Sequence, residues 1–198
     1  FLRNKHYDVF HAHYGLSAIV STLAGVRPLV VSLMGSDVLA GVWQKWLIRM
    51  FVKKRWVFTI AKSKDLAEKV GENYCSVIPN GVDIETFYPI SKDIAKQKLG
   101  LDLSKRYLFF AANPARPEKN FNLAKQAYDI VKSDGFVLVK MENIPHNDVP
   151  LWMNASDVIL LSSLWEGSPN VIKEAMACNR PIISTNVGDV EWLLGNEP

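Results

Sequence analysis

The sequence predicts an α/β protein built from two parallel-sheet lobes. Two successive series of short apolar runs alternate with longer stretches of helical spacing, the pattern of strands joined by crossover helices. Turn chemistry separates the series at Val77-Ile78-Pro79-Asn80-Gly81-Val82-Asp83, where Asn-Gly takes positive φ cheaply. The 198 residues are 48% hydrophobic and 22% charged, which suits one large domain or two small ones.

In the first series Val9–Ala12 reads as a strand and Leu16–Ala24 as a helix. Pro28–Leu33 is a buried strand ending at Gly35-Ser36-Asp37. Residues 42–54 have helical spacing, with Trp43, Leu47, Met50 and Phe51 expected on one side. Trp56–Ile60 is a strand, and Lys62–Val70 a helix opened by Ser63 as a cap. A polar helical stretch, Ser91–Leu99, follows the turn. The second series runs strand Tyr107–Ala112, helix Asn122–Lys132, strand Phe136–Lys140 and short helix Asp148–Asn154, where Pro150 is tolerable in the first turn. It continues with strand Asp157–Ser162, helix Asn170–Cys178 and strand Pro181–Ser184, and a short helix precedes the final residues. No repeat or low-complexity tract interrupts it.

Composition narrows the function. Net charge is +3, yet residues 43–64 hold Lys45, Arg49, Lys53, Lys54, Arg55, Lys62 and Lys64 with no acid. Such a local basic face suits an anionic partner and is too local for nucleic acid. No apolar run reaches the ~18–20 residues that span a bilayer. Cys75 and Cys178 fit no metal or redox spacing and read as residues of a reducing compartment, with the cytoplasm as default. Phe1 and Gly195-Asn196-Glu197-Pro198 lead us to expect a piece of a longer chain, cut on both sides.

The segment richest in chemistry is Ser162–Asp189. A hydrophobic strand ends in the small-residue loop Glu166-Gly167-Ser168-Pro169-Asn170, and a helix starts there. Ligands of open α/β sheets gather beyond the carboxyl ends of the strands. A helix N-terminus offers N–H groups and partial positive charge to a diphosphate, and Gly167 lets backbone come close. Glu166 in the loop and Glu174 about one turn into the helix stand eight positions apart. Each can accept hydrogen bonds from vicinal hydroxyls, so the pair could hold a sugar at one end of a diphosphate and a ribose at the other. A lone glutamate there is ordinarily a solvated face; here the whole strand–loop–helix–strand unit agrees.

This segment resembles the E-x7-E donor motif of the retaining family-4 (group 1) glycosyltransferases, carried by Glu166 and Glu174 with the flanking EAMA and N-V-G-D runs. Val77–Asp83 is similar to the family's I-P-N-G-V-D signature, and His11-Ala12-His13 and Gly35-Ser36-Asp37 to its amino-lobe motifs. The resemblance implies a GT-B fold of two Rossmann-like lobes, both incomplete here. Residues 1–80 would be the carboxyl half of the amino-terminal, acceptor-side lobe, and 81–198 the carboxyl-terminal donor-binding lobe. It also implies a UDP- or GDP-linked sugar donor, a glycan or lipid-linked saccharide as acceptor, and neither a cofactor nor a catalytic metal. Glu174 would hold the ribose, while Glu166, Gly167, Ser168, Pro169, Asn170 and Val171 read the sugar and help hold phosphate. The family's Arg-x4-Lys is broken, since Pro114 stands where the Arg belongs; Lys119 is the expected cation at the leaving diphosphate, with Arg116 as its partner. Met34 replaces a family His and cannot move a proton.

The implied reaction is transfer of a hexosyl group to a hydroxyl with retention of configuration. The leaving phosphate would take the acceptor proton, as no covalent nucleophile is evident. Two alternatives stay open: a GT-B-fold nucleotide-sugar epimerase and a non-catalytic nucleotide-sugar-binding module. A dinucleotide oxidoreductase is disfavoured because no G-x-G-x-x-G follows a strand. His11 and His13 share a strand face but lack a third ligand, so a packed or hydrogen-bonded role is expected. Residues 43–56 mix tryptophans with lysines and arginines, which suits peripheral contact with anionic lipid at the inner face of the membrane; a core-facing helix with a solvated basic side is the alternative.

Overall fold

The computed structural model describes residues 7–35 and 42–195. The chain divides into two compact units, Phe1–Asn80 and Gly81–Pro198. The expected Ser36 and Asp37 of the Gly-Ser-Asp stretch lie outside the described residues.

The first unit runs β1 (Phe10–His13), α1 (Gly15–Leu23), β2 (Leu29–Leu33), α2 (Val42–Lys54), β3 (Phe58–Ala61), α3 (Lys64–Val70) and β4 (Ser76–Val77). Its strands lie in the order β1-β2-β3-β4, all parallel. Parallel neighbours need crossovers, and the helices supply them. Leu29, Val31, Leu33 and Ala61 of the sheet pack with Ala18, Ile48, Phe51, Val52, Leu66 and Val70 of the helices. Ser63 caps α3 by accepting from the Leu66 N–H at 3.2 Å. Trp56 is buried, and its indole N–H donates to Thr22 Oγ1 at 2.8 Å, which removes the cost of hiding that donor.

Helix α2 keeps three of the four side chains expected on one side: Phe51 is buried and Leu47 and Met50 pack against the core, together with Ile48 and Val52. Trp43 departs from that expectation and is 62% exposed. Helix ends and strand limits otherwise move by one or two residues. The two-residue β4 was hidden in the turn signal, and Pro79, which has no N–H, keeps it short.

The second unit carries α4 (Lys92–Lys98), β5 (Arg106–Phe110), α5 (Phe121–Val131), β6 (Phe136–Lys140), α6 (Val149–Ala155), β7 (Val158–Leu161), α7 (Asn170–Ala177), β8 (Ile182–Ser184) and α8 (Val190–Leu194). The strand order is β6-β5-β7-β8, all parallel. From β5 the chain steps outward to β6, then returns past β5 to build the other half. Crossovers therefore diverge between β5 and β7, which opens a crevice beyond their carboxyl ends.

Strand β5 is sandwiched. Phe109 packs with Met153, Ile159, Ala175 and Cys178, and its neighbour Phe110 with Ala124 and Leu160. Alternate side chains of one strand thus feed two apolar layers, which explains the unbroken hydrophobic run there. The segment before α4 is tied down by buried Asn154, whose Oδ1 accepts from Ile90 N–H at 2.8 Å. Its Nδ2 donates to the carbonyls of Tyr88 and Pro150 at 3.0 and 2.9 Å. Asp157 adds a second tie, accepting from Lys92 Nζ at 2.5 Å and from Tyr107 N–H at 2.7 Å.

Asn154→Ala removes the acceptor of the Ile90 N–H and a donor to two carbonyls at once. It should cost about 2–4 kcal/mol of stability, read as a lower urea midpoint.

Candidate functional site

A cavity of about 380 Å³ lies at the divergence of β5 and β7, within the second unit. Ala111, Ala112, Asn113, Arg116 and Lys119 line it from the segment after β5. Met141, His146, Val149 and Met153 line it after β6, and Glu166, Ser168, Pro169, Asn170, Val171 and Glu174 after β7. Its walls are thus partly apolar, with a few polar groups converging, as expected of a small-molecule site.

Two loops make the rim, and they are stitched together. The N–H of Leu164 donates to the Glu118 carbonyl at 2.8 Å, and the one proton of Ser162 Oγ is shared between the carbonyls of Lys119 and Asn120, each at 3.0 Å. Lys119 Nζ donates to Glu166 Oε1 at 2.5 Å, and Ser163 Oγ donates to the same oxygen at 2.7 Å. The Lys119 and Glu166 side chains are only 15% and 14% exposed, so this ion pair is screened little by solvent. Both claims on Glu166 fall on Oε1, which leaves Oε2 for a ligand.

The Glu166 loop is held from below as well. Thr185 Oγ1 donates to the Ser163 carbonyl at 2.7 Å. Gly188 has φ +62°, and a Cβ there would stand 2.7 Å from the Gly167 carbonyl oxygen. Only glycine meets both demands, so Gly188 lets Glu166-Gly167 sit directly on the 185–189 turn. Ser168 Oγ donates to Asp189 Oδ2 at 2.7 Å and accepts from Lys173 Nζ at 2.7 Å.

Helix α7 begins at the cavity. Its N-cap residue, Pro169, supplies no side-chain acceptor, and the first turn, Asn170 and Val171, lines the cavity. The positive end of the helix thus meets any anion placed there. Glu174, one turn further, is half-buried; burial pushes its carboxyl above the usual range, against the charges of His146 and Lys173.

All nine site residues expected from sequence line the cavity or its supporting loop. Lys119 is engaged with Glu166 rather than standing apart from it. Arg116 is a more exposed side chain, 58% accessible, paired with Glu118. Sequence reasoning missed His146, whose signal was only a polar residue after β6, and Asp189, known then merely as the end of N-V-G-D. In the first unit His11 Nε2 is 2.8 Å from Ser32 Oγ, and its ring lies 4.2 Å from that of His13. Burial, then His13 and Lys62, lower its pKa. Among the described residues no cluster of three His, Cys, Asp or Glu side chains could hold a metal ion. Met34 follows β2 at 38% exposure. Burial pushes the Cys178 thiol up to about 11, which marks it as an inert core residue.

Comparison with known proteins agrees with this geometry. Residues 104–197 match the family model described as glycosyl transferases group 1. The chain is 30% identical over 99% of its length to the UDP-Gal:alpha-D-GlcNAc-diphosphoundecaprenol alpha-1,3-galactosyltransferase of Escherichia coli, and spans 62% of that protein. Sucrose-phosphate synthase of Thermosynechococcus elongatus superposes with a TM-score of 0.76 over 96% of this chain and 59% of its own, at 16% identity. Anabaena HepE, solved in complex with UDP and glucose, superposes with a TM-score of 0.65 over 92% of this chain and 60% of its own, at 19% identity. These two likenesses place the fold in the two-lobed GT-B class.

Glu174 yields a test with a definite sign. Its folded pKa is raised, so its ionised form costs stability above that pKa, and the cost vanishes below the unfolded value near pH 4.5. Glu174→Gln should therefore raise Tm at pH 7, with the gain fading as melts approach pH 4.

Proposed function

We propose that this chain is a group 1 glycosyltransferase and carries the donor site of an enzyme that transfers a hexose from a nucleoside diphosphate sugar to a hydroxyl. The acceptor is a glycan or lipid-linked saccharide, and the configuration at the sugar is retained. The chain spans about six-tenths of its curated relative, and the reading concerns the whole enzyme of which these lobes are part. One observation carries it: Glu166 and Glu174 line one cavity at the start of α7, in the crevice where β5 and β7 diverge.

The roles follow from position. Glu174, partly desolvated and one helical turn in, accepts hydrogen bonds from the ribose hydroxyls. The first turn of α7 meets the diphosphate with its positive end, helped by Lys119 and by Arg116 from the facing loop. Glu166, held by Lys119 and Ser163 through one oxygen, offers the other to the transferred sugar. The bond from the anomeric carbon to the diphosphate oxygen breaks, and the acceptor oxygen bonds to that carbon on the same face. The departing phosphate oxygen takes the acceptor proton. The donor is a substrate, and the reaction as drawn asks for neither a cofactor nor a metal.

A uridine nucleotide is favoured by two names: the UDP-Gal enzyme of Escherichia coli and the UDP complex of HepE. The first also names a diphosphoundecaprenol-linked acceptor, which supports a lipid-linked acceptor here and work at the cytoplasmic face of a membrane. Among the described residues no helix is long and apolar enough to cross a bilayer. Peripheral contact is supported by α2, where Trp43 and Trp46 are each 62% exposed. Trp46 shares a side with Lys53 by spacing, opposite the buried Ile48.

Two experiments test these readings. In a thermal-shift screen of the full protein, a UDP-sugar should raise Tm more than its GDP or ADP counterpart, and Glu174→Ala should abolish the response; a response kept by that variant removes Glu174 from the site. Reversing charge at Lys53, Lys54 and Arg55 forfeits about 1 kcal/mol of membrane attraction for each basic residue lost. The variant should then sediment less with phosphatidylserine vesicles, and unchanged sedimentation ends the membrane reading.

A further inference from the structure

Ser168 sits at the edge of the cavity between two buried charges. Asp189 is 6% exposed and Lys173 8%. Both reach the same atom: the Ser168 hydroxyl donates to Asp189 Oδ2 at 2.7 Å, and Lys173 Nζ donates to Ser168 Oγ at 2.7 Å.

A serine hydroxyl has one proton and two lone pairs. An ammonium group cannot accept, so the proton must turn away from Lys173. The Asp189 carboxylate claims it, and strongly, because its other oxygen, Oδ1, is buried without a hydrogen-bond partner. A buried carboxylate short of donors holds the one it has, since losing it would strand a charge. One lone pair of Oγ is likewise committed to Lys173. What remains for the cavity is a single lone pair, in a side chain whose backbone is fixed by Gly188 under Gly167.

This polarity selects among ligand groups. A diphosphate oxygen carries no proton at neutral pH and would meet Ser168 lone pair to lone pair. A sugar hydroxyl can donate and fits. We propose that Ser168 is a specificity-determining residue that accepts a hydrogen bond from a hydroxyl of the donor's hexose, and that Asp189 and Lys173 are positioning residues that fix its hydroxyl as an acceptor. The inference rests on the nucleotide-sugar reading above and adds to it the fixed acceptor polarity of Ser168 and the two residues that impose it.

Calorimetric titration of the full protein separates the two. Wild type is titrated with UDP, GDP and their glucose and galactose conjugates, and the preferred pair is kept for the variants. Ser168→Ala should weaken the nucleotide hexose about tenfold while the bare nucleotide diphosphate stays within about twofold. Ser168→Thr, which keeps the hydroxyl, should restore most of the difference. Lys173→Met should lower the same hexose-to-nucleotide ratio severalfold, and it carries the test should the alanine variant not fold. Equal weakening of both ligands, or of neither, overturns the inference by making Ser168 a phosphate contact or a bystander. A wild type that binds no nucleotide at all overturns the transferase reading beneath it.

Discussion

The ion pair between Lys119 and Glu166 organises the candidate site. It joins the loop after β5 to the loop after β7, the two segments that flank the divergence of the sheet. Removing one partner of a buried pair costs on the order of 3–5 kcal/mol, because the remaining charge is left without compensation. Here that penalty is directed at loop geometry. With Oε1 of Glu166 held by Lys119 and Ser163, rotation of the carboxylate would cost both bonds, which favours one orientation of Oε2. A cation beside this glutamate therefore has a structural duty that is independent of any charge it offers a ligand.

The pair can form there because of topology and small residues together. Strand order β6-β5-β7-β8 brings the ends of β5 and β7 side by side. Ser162 and Ser163, buried just after β7, let the chain turn tightly; the Ser162 hydroxyl meets the backbone of the facing loop and the Ser163 hydroxyl the Glu166 carboxylate. Gly188 then removes the last side chain that would push the loop upward. Bulkier residues at any of these places would separate the loops and leave Lys119 and Glu166 each desolvated and alone.

Sequence reading located what depends on local pattern. The alternation of apolar runs and helical stretches is local, and so are the small-residue loop, the start of α7 and the spacing of Glu166 from Glu174. Contacts between distant segments escaped it. The bond from Ser168 to Asp189 spans 21 positions, and Lys119 to Glu166 spans 47. Nothing in either neighbourhood marks those partners. Trp43 of α2 departs from expectation for another reason. Its thirteen residues hold apolar side chains on more than one side, so periodicity allows two stripes. Packing against α1 and the sheet selects Ile48, Phe51 and Val52, flanked by Leu47 and Met50, and leaves Trp43 near the start of the helix exposed.

The second half of the site shows why such an arrangement tolerates unfavourable electrostatics. Burial raises the pKa of both Glu174 and Asp189, so the folded protein holds two carboxylates in places that resist their charge. His146 and Lys173 oppose the shift at Glu174, and the Ser168 hydroxyl and Lys173 oppose it at Asp189, yet burial prevails at both. Hydroxyl donors of a bound sugar or ribose would supply what the protein withholds. A fully satisfied site would fold more stably and bind less, since every hydrogen bond to a ligand would then displace an existing one. The incomplete compensation around α7 is therefore best understood as capacity reserved for a polyhydroxylated ligand, with the Lys119–Glu166 pair keeping that capacity in one fixed place.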